Sequence, residues 1–471
     1  MDQILYWNEV ALEANRLSHP TPNDMDKMVG GPPLSARALA IVHLAMYDAY
    51  VGTAATTLLH YLPATPAVAV GASVDAAIAA AAHATLSKLY PSMKNVFDMK
   101  HAQAGVSMTG VGVNDGHEYG QKIANLILAD RGKDPDTKDD GYASVISRGK
   151  HRPDPDNSGQ GYHAPFYGAA SKLFSSSARY SLTEPPQPGD MEYTKALKQV
   201  RGKGIAPELM GTLPSTYPKR KVDETLIGIF WAFDGAKELG TPPRFYNQIV
   251  QQIAKNKGNS LEQNVQLFAL INVAMADAGI LAWEQKYKSN FWRPVLGIRE
   301  HDKSMGIVAS VPTSDISDDC DPNWLPLGAP KTNETTKNFT PPFPAYPSGH
   351  ATFGAAAFHT VRMFYGINPN DTNPDTLLAG IDFVSEECNG INKDNKGTIR
   401  PHHLRHFPKG LWQMIVENGF SRIYLGVHWS FDAFALDAAG NPDLTQNIGG
   451  VKLGLNIAKD IFMSKLKKST V

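Results

Sequence analysis

Two cysteines in 471 residues, Cys320 and Cys388, permit at most one disulfide, and neither stands in a CxxC or Cys/His spacing that would hold zinc. A disulfide-rich scaffold and a zinc module are excluded. Charge of one sign is missing too. Lys+Arg 45 against Asp+Glu 46 leave a formal net charge of -1, so no whole-molecule field collects nucleic acid or an anionic membrane surface. Any anion site must be a local cluster. Long apolar runs are also scarce: Ala76 to Ala82 is closed by Asp75 and His83, short of the ~18 apolar residues that a membrane span needs. Residues 1–20 alternate polar and apolar positions without the apolar centre of a secretory signal. The expectation is a soluble protein, cytoplasmic or exported by a non-classical route. Strand-like alternation is rare, and no repeat of fixed period stands out.

Helical periodicity is abundant. Apolar residues recur at i, i+3, i+4 and i+7 over Leu34–Tyr50, Asp75–Tyr90, Asp115–Arg131, Asp223–Leu239, Phe245–Asn256, Leu261–Tyr287, Gly349–Tyr365 and Ile448–Lys465. Ser260 with Gln263 forms a capping box, and Asp223 is placed to cap its helix. The pattern predicts an all-α protein built of helical bundles with long loops at 132–188, 299–347 and 389–408. An N-terminal helical region, 1–220, and a C-terminal one, 221–471, are expected to pack as one compact unit.

The second half carries an ordered set of cations, histidines and helix-start residues: Lys286-x6-Arg293-Pro294, then Pro347-Ser348-Gly349-His350, then Ser421-Arg422-x5-His428. Ten fixed positions in this order have a chance expectation on the order of one in a million. A bound tetrahedral oxyanion carries two or three charges, and removing it from water is costly unless fixed cations and donors replace the solvent. Lys286, Arg293 and Arg422 supply the cations. If one helix runs to Arg293, seven residues turn through 700°, which puts Lys286 and Arg293 on one face, with Pro294 ending the helix. Ser348 suits an N-cap, so the N–H groups that follow it make an anion pocket, and Gly349 lets the backbone approach closely. Arg422 and His428 are 120° out of phase on a straight helix, so the chain is expected to turn near Gly426. Asp432 then falls where it can orient an imidazole.

This pattern resembles the superfamily that joins vanadium haloperoxidases to type 2 phosphatidic acid phosphatases and bacterial acid phosphatases. It is most similar to the fungal vanadium chloroperoxidases, which GPPLSARAL, YHAPFYG, GTPPRFYNQIV, FWRP, LGAP, PPFPAYPSGHATFG and SRIYLGVHW also resemble, from Gly31 to Trp429. The resemblance implies vanadate as cofactor, with His428 as the vanadium ligand and Lys286, Arg293, Arg422, Ser348 and the Gly349 N–H holding its oxygens. It implies His350 as the acid/base, Asp234 as the acid that pairs with it, and Trp283 and Phe343 as the aromatic wall on the halide side. Phe343 stands where algal bromoperoxidases typically have histidine, which favours the chloroperoxidase branch. The 132–188 loop is shorter than its fungal counterpart. The implied partners are hydrogen peroxide, halide and small organic acceptors, without nucleic acid or membrane. The alternative is an acid phosphatase acting through a phosphohistidine at His428, because phosphate is isosteric with vanadate.

Taken singly, these residues have ordinary explanations: a solvated helix face, a plain cap, a core histidine. Their joint spacing favours the anion site. Other clusters read as plain surface. His402, His403 and His406 show no third metal ligand, Asp315, Asp318, Asp319 and Asp321 lack EF-hand spacing, and Asn392–Gly397 has Lys396 at a ligand position.

Overall fold

A computed structural model describes residues 1–20, 29–106, 108–131, 134, 142–165, 167–312, 319–376 and 381–471. Fifteen α-helices follow one another along them: α1 (Gln3–Leu17), α2 (Gly31–Thr53), α3 (Val74–Leu89), α4 (Lys94–Gly105), α5 (Val113–Arg131), α6 (Tyr167–Ala170), α7 (Met191–Lys203), α8 (Val222–Phe230), α9 (Pro242–Lys257), α10 (Leu261–Ser289), α11 (Pro294–Arg299), α12 (Gly349–Phe364), α13 (Gly410–Tyr424), α14 (Ser430–Ala433) and α15 (Gly449–Ser464). Among the described residues, regular strands form two small antiparallel ladders, β1 (Ile381–Val384) with β2 (Leu404–Phe407) and β3 (Ala435–Leu436) with β4 (Pro442–Asp443), besides a few isolated bridges. The all-α class holds.

The axis of the molecule is α10. Ser260 accepts from the Gln263 N–H while the Gln263 side chain accepts from the Ser260 N–H, which satisfies donors that a bare helix start would leave open. Its 18-residue apolar window is long enough to cross a membrane by composition, yet 94% of it is buried inside the protein. Helices α2 and α12 flank it, and α15 packs on α12. The last contact is backbone-close: a Cβ on Gly450 would lie 2.4 Å from the Ser348 carbonyl oxygen, and one on Gly454 2.4 Å from that of Thr352. One continuous core draws residues from Ile4 to Leu466.

Three local expectations are corrected. The helix predicted over Asp223–Leu239 stops at Phe230, because Phe233, Gly235, Glu238 and Gly240 all take positive φ and coil the chain into a turn. Asp223 does not cap it: it lies in the first turn, paired with Arg405. The long helix does not reach Arg293. It ends at Ser289, Asn290 adopts the left-handed conformation at φ 50, and Pro294 opens α11 at its first position where it was expected to end a helix. Helices α1, α4 and α7 and the short α6 and α11 were not foreseen, whereas the helix expected to end near Gly426 is α13, which stops at Tyr424; the N-terminal alternation is α1, capped by Asp2. Cys320 and Cys388 are free thiols. Asp315 and Asp318 lie outside the described residues, and no metal-holding group of three is found among those described.

Candidate active site

Five segments deliver the site. Lys286 comes from the last turn of α10, wholly buried, and its ammonium donates to the carbonyls of Pro344 (3.0 Å), Ala345 (3.1 Å) and Pro347. Arg293 arrives from the extended N-cap of α11, so convergence with Lys286 depends on the turn at Asn290 rather than on a shared helical face. Its Nε donates to the Phe343 carbonyl at 2.9 Å and its Nη1 to that of Val427 at 2.7 Å. Ser348 caps α12, accepting from the Ala351 N–H at 3.4 Å, and Gly349 and His350 open that helix. Arg422 stands in the last turn of α13. Its two terminal nitrogens clamp both oxygens of Asp234, at 2.7 and 2.6 Å.

The chain turns at Gly426, φ 74, where a Cβ would meet the Gly204 carbonyl oxygen at 2.4 Å. That turn redirects His428 into the pocket. Its Nδ1 lies 2.7 Å from Asp432 Oδ2, one turn ahead at the start of α14. The carboxylate accepts from the Nδ1–H, so the Nε2 lone pair faces inward, 2.9 Å from Arg293 Nη1. His350 stands differently. Its Nε2 meets the Ala232 carbonyl oxygen at 2.5 Å and lies 4.0 Å from Asp234 Oδ1. Asp234 therefore touches both His350 and Arg422, with its strong bonds to the arginine.

Burial decides the electrostatics. It pushes the Lys286 ammonium well below its usual range, with Arg293 adding repulsion, and pulls Arg293 down to about 9. It also holds His428 well below the ordinary imidazole value and His350 at about 3. Both rings are neutral near neutral pH.

Two aromatic rings stand over these cations. Trp283 and Phe343 lie 4.9 Å apart, with the Lys286 ammonium 5.1 Å and the Arg293 guanidinium 4.9 Å from the centre of the Phe343 ring. All ten residues singled out in the sequence thus fall into one neighbourhood. The sequence reading passed over the Ala232 carbonyl, His151 and His163. His151 is buried with neither ring nitrogen partnered among the described residues, close enough for Arg293 and Lys286 to depress its basicity. His163 lies in YHAPFYG, a segment noted only for its likeness, and that was the one signal available.

A tetrahedral oxyanion suits this donor set. Arg293 Nη2 and Arg422 Nε are buried without a hydrogen-bond partner among the described residues, and Asp234 and Asp432 are the carboxylates set against the three buried cations. Two orphaned guanidinium N–H groups beside a neutral imidazole lone pair are costly unless an anion completes them.

A helical fold that buries such a site defines a class of oxyanion-binding helical proteins, and comparison with known proteins narrows it. Residues 1–160 match the vanadium chloroperoxidase N-terminal domain, and residues 266–443 match the VCPO second helical-bundle domain. The vanadium chloroperoxidase of Curvularia inaequalis is 35% identical over 575 residues, covering 98% of this chain and 90% of that protein. This chain belongs to the vanadium chloroperoxidase family. Among solved structures, a bacterial vanadium-dependent iodoperoxidase superposes with a TM-score of 0.67 at 20% identity, covering 97% of this chain and 95% of that one. A holo-type bacterial vanadium-dependent chloroperoxidase gives 0.62 at 14%, covering 96% and 97%. These two likenesses establish the fold.

Proposed function

We propose that the protein is a vanadate-dependent haloperoxidase that uses hydrogen peroxide to oxidise chloride or bromide to hypohalous acid, which then halogenates small organic acceptors. The observation that carries this reading is the His428–Asp432 bond of 2.7 Å. It presents a neutral Nε2 lone pair to a pocket of three buried cations with two unpaired N–H groups. Bound vanadate supplies a Lewis acid that activates peroxide at a single oxidation state.

The chain's own groups do the rest. His428 would hold the group through Nε2, and Lys286, Arg293, Arg422, the Ser348 hydroxyl and the Gly349 N–H would hold the oxygens of the anion. With Nε2–H of His350 given to the Ala232 carbonyl, its Nδ1 is the nitrogen that takes and returns a proton. Asp234 fixes Arg422 and lies beside His350. Trp283 and Phe343 keep water from the halide side. Regions 1–220 and 221–471 work as one unit in this reading, since the first reaches the site through residue 163. The relatives, named as peroxidases, lend no support to the phosphatase alternative at His428.

Reconstitution tests it. Apoprotein loaded with vanadate should consume monochlorodimedone with peroxide and chloride, bromide or iodide, and survive chelation of divalent metals. Phosphatase activity of the apoprotein without any halide oxidation after loading would overturn the reading.

A further inference from the structure

A single residue outside the anion pocket holds both rings of the proposed halide wall. His163 donates its backbone N–H to the Pro342 carbonyl at 2.9 Å, beside Phe343. Its own carbonyl accepts from the Trp283 indole at 3.3 Å and from the Tyr287 hydroxyl at 2.8 Å. The imidazole then packs on the same two rings, edge-on to Trp283 at 6.2 Å and tilted to Phe343 at 6.3 Å. With Trp283 and Phe343 at 4.9 Å, the three rings close a triangle. Lys286 and Arg293 stand against the Phe343 ring. Phe343 also lines a cavity of about 660 Å³ together with Leu34, Tyr162, His163 and Asp234, and the walls of that cavity include neither Lys286 nor Arg293.

The fold makes room for this ring at a cost. His163 Nε2 is buried without a hydrogen-bond partner among the described residues. It presses on the first residue of α2, where a Cβ on Gly31 would lie 2.3 Å away, and Gly31 takes φ 70. Burial pulls the imidazole down to about 4, so the ring is neutral and serves as a flat filler. A large aliphatic side chain would fill the volume without a flat face to lie between two aromatic edges.

We propose that His163 is a positioning residue for halide selectivity, whose ring holds Trp283 and Phe343 as a dry wall between the outer cavity and the cation cluster. The inference rests on the haloperoxidase reading of the site. Chloride is small and strongly hydrated, so its oxidation depends most on a wall that excludes water, and iodide depends on it least.

The test uses the full chain with His163→Ala, which removes the ring, and His163→Phe, which keeps its shape. In the apoprotein, acrylamide quenching of tryptophan emission should rise in His163→Ala and stay at the wild-type level in His163→Phe. After vanadate loading, the chloride-to-iodide ratio of kcat/KM should fall about tenfold in His163→Ala and stay within about threefold of wild type in His163→Phe. Vanadate affinity by calorimetry should be unchanged in both. Equal losses with the two halides in His163→Ala, or a His163→Phe variant as impaired as His163→Ala, would overturn the proposal. If His163→Ala does not fold by circular dichroism, His163→Leu replaces it with the same expectations. If loaded wild-type protein oxidises no halide, the haloperoxidase reading fails, and the quenching contrast alone then decides whether the ring orders the wall.

Discussion

Within the anion pocket two buried neutral histidines differ by what they lean on. His428 donates its Nδ1–H to Asp432 and aims Nε2 inward, whereas His350 donates its Nε2–H to the Ala232 carbonyl. Replacing His428 with Ala should therefore cost vanadate affinity more than replacing His350, since only the first removes a coordination bond. Calorimetry on both variants checks this, and unchanged affinity in His428→Ala would remove the ligand assignment. Phe343 offers a second residue-scale test. Its ring lies between two cations and Trp283, so Phe343→His adds a hydrogen-bonding group to the wall and lets water remain. Turnover with chloride should fall about tenfold, equivalent to ~1.4 kcal/mol in the barrier, with bromide affected less. Rates for both halides dropping by one factor would reduce Phe343 to packing. The residues of the anion motif were legible in the sequence because charge and helix-start chemistry are written in residue type. His163 was not, because its bonds to Trp283 and Pro342 are made by its backbone, across 120 residues or more.

At the scale of elements, the helices over 31–53, 261–289 and 349–364 were legible as long apolar-rich runs, and the fold buries them on nearly every face. Periodicity misled where backbone geometry overrides it. Between Phe230 and Pro242 the apolar spacing continues, yet four positive φ values break the helix, and that break carries Asp234 to Arg422. The same holds at Asn290, whose left-handed turn brings Arg293 back to Lys286. Neither turn shows in hydrophobic pattern, since φ is set by tertiary contacts. The α12–α15 contact makes a test of element packing away from the chemistry. Gly454→Ala puts a methyl carbon 2.4 Å from the Thr352 carbonyl oxygen and 2.8 Å from Ala355 Cβ, so the helices must separate. Gains in helix propensity of up to about 1 kcal/mol should be outweighed, leaving a net loss of roughly 1–3 kcal/mol in stability. Chemical denaturation measures it; a stabilised variant would show that the contact is loose.

For the whole molecule the decisive quantity is the positive charge stored in its core. Lys286, Arg293 and Arg422 are buried together, and burial drags the first two toward losing their protons, so the folded protein carries a strain that an anion relieves. A ligand that binds only the folded state adds RT ln(1 + [L]/Kd), about 2.7 kcal/mol at a hundredfold excess over Kd. Both vanadate and phosphate should therefore raise the melting temperature of the apoprotein, by several degrees at such an excess, and each should reduce the effect of the other. The two anions part at His428. In the proposed reading phosphate would be held by charge and N–H donors alone, while vanadate would gain a bond to Nε2. In His428→Ala the vanadate shift should shrink toward the phosphate shift, and the phosphate shift should stay near its wild-type size. Calorimetric scans with each anion read both quantities on one sample. If the two shifts shrink equally, His428 acts on the pocket as a whole and not as a ligand. If neither anion shifts the wild-type transition, the buried cations are not an anion site.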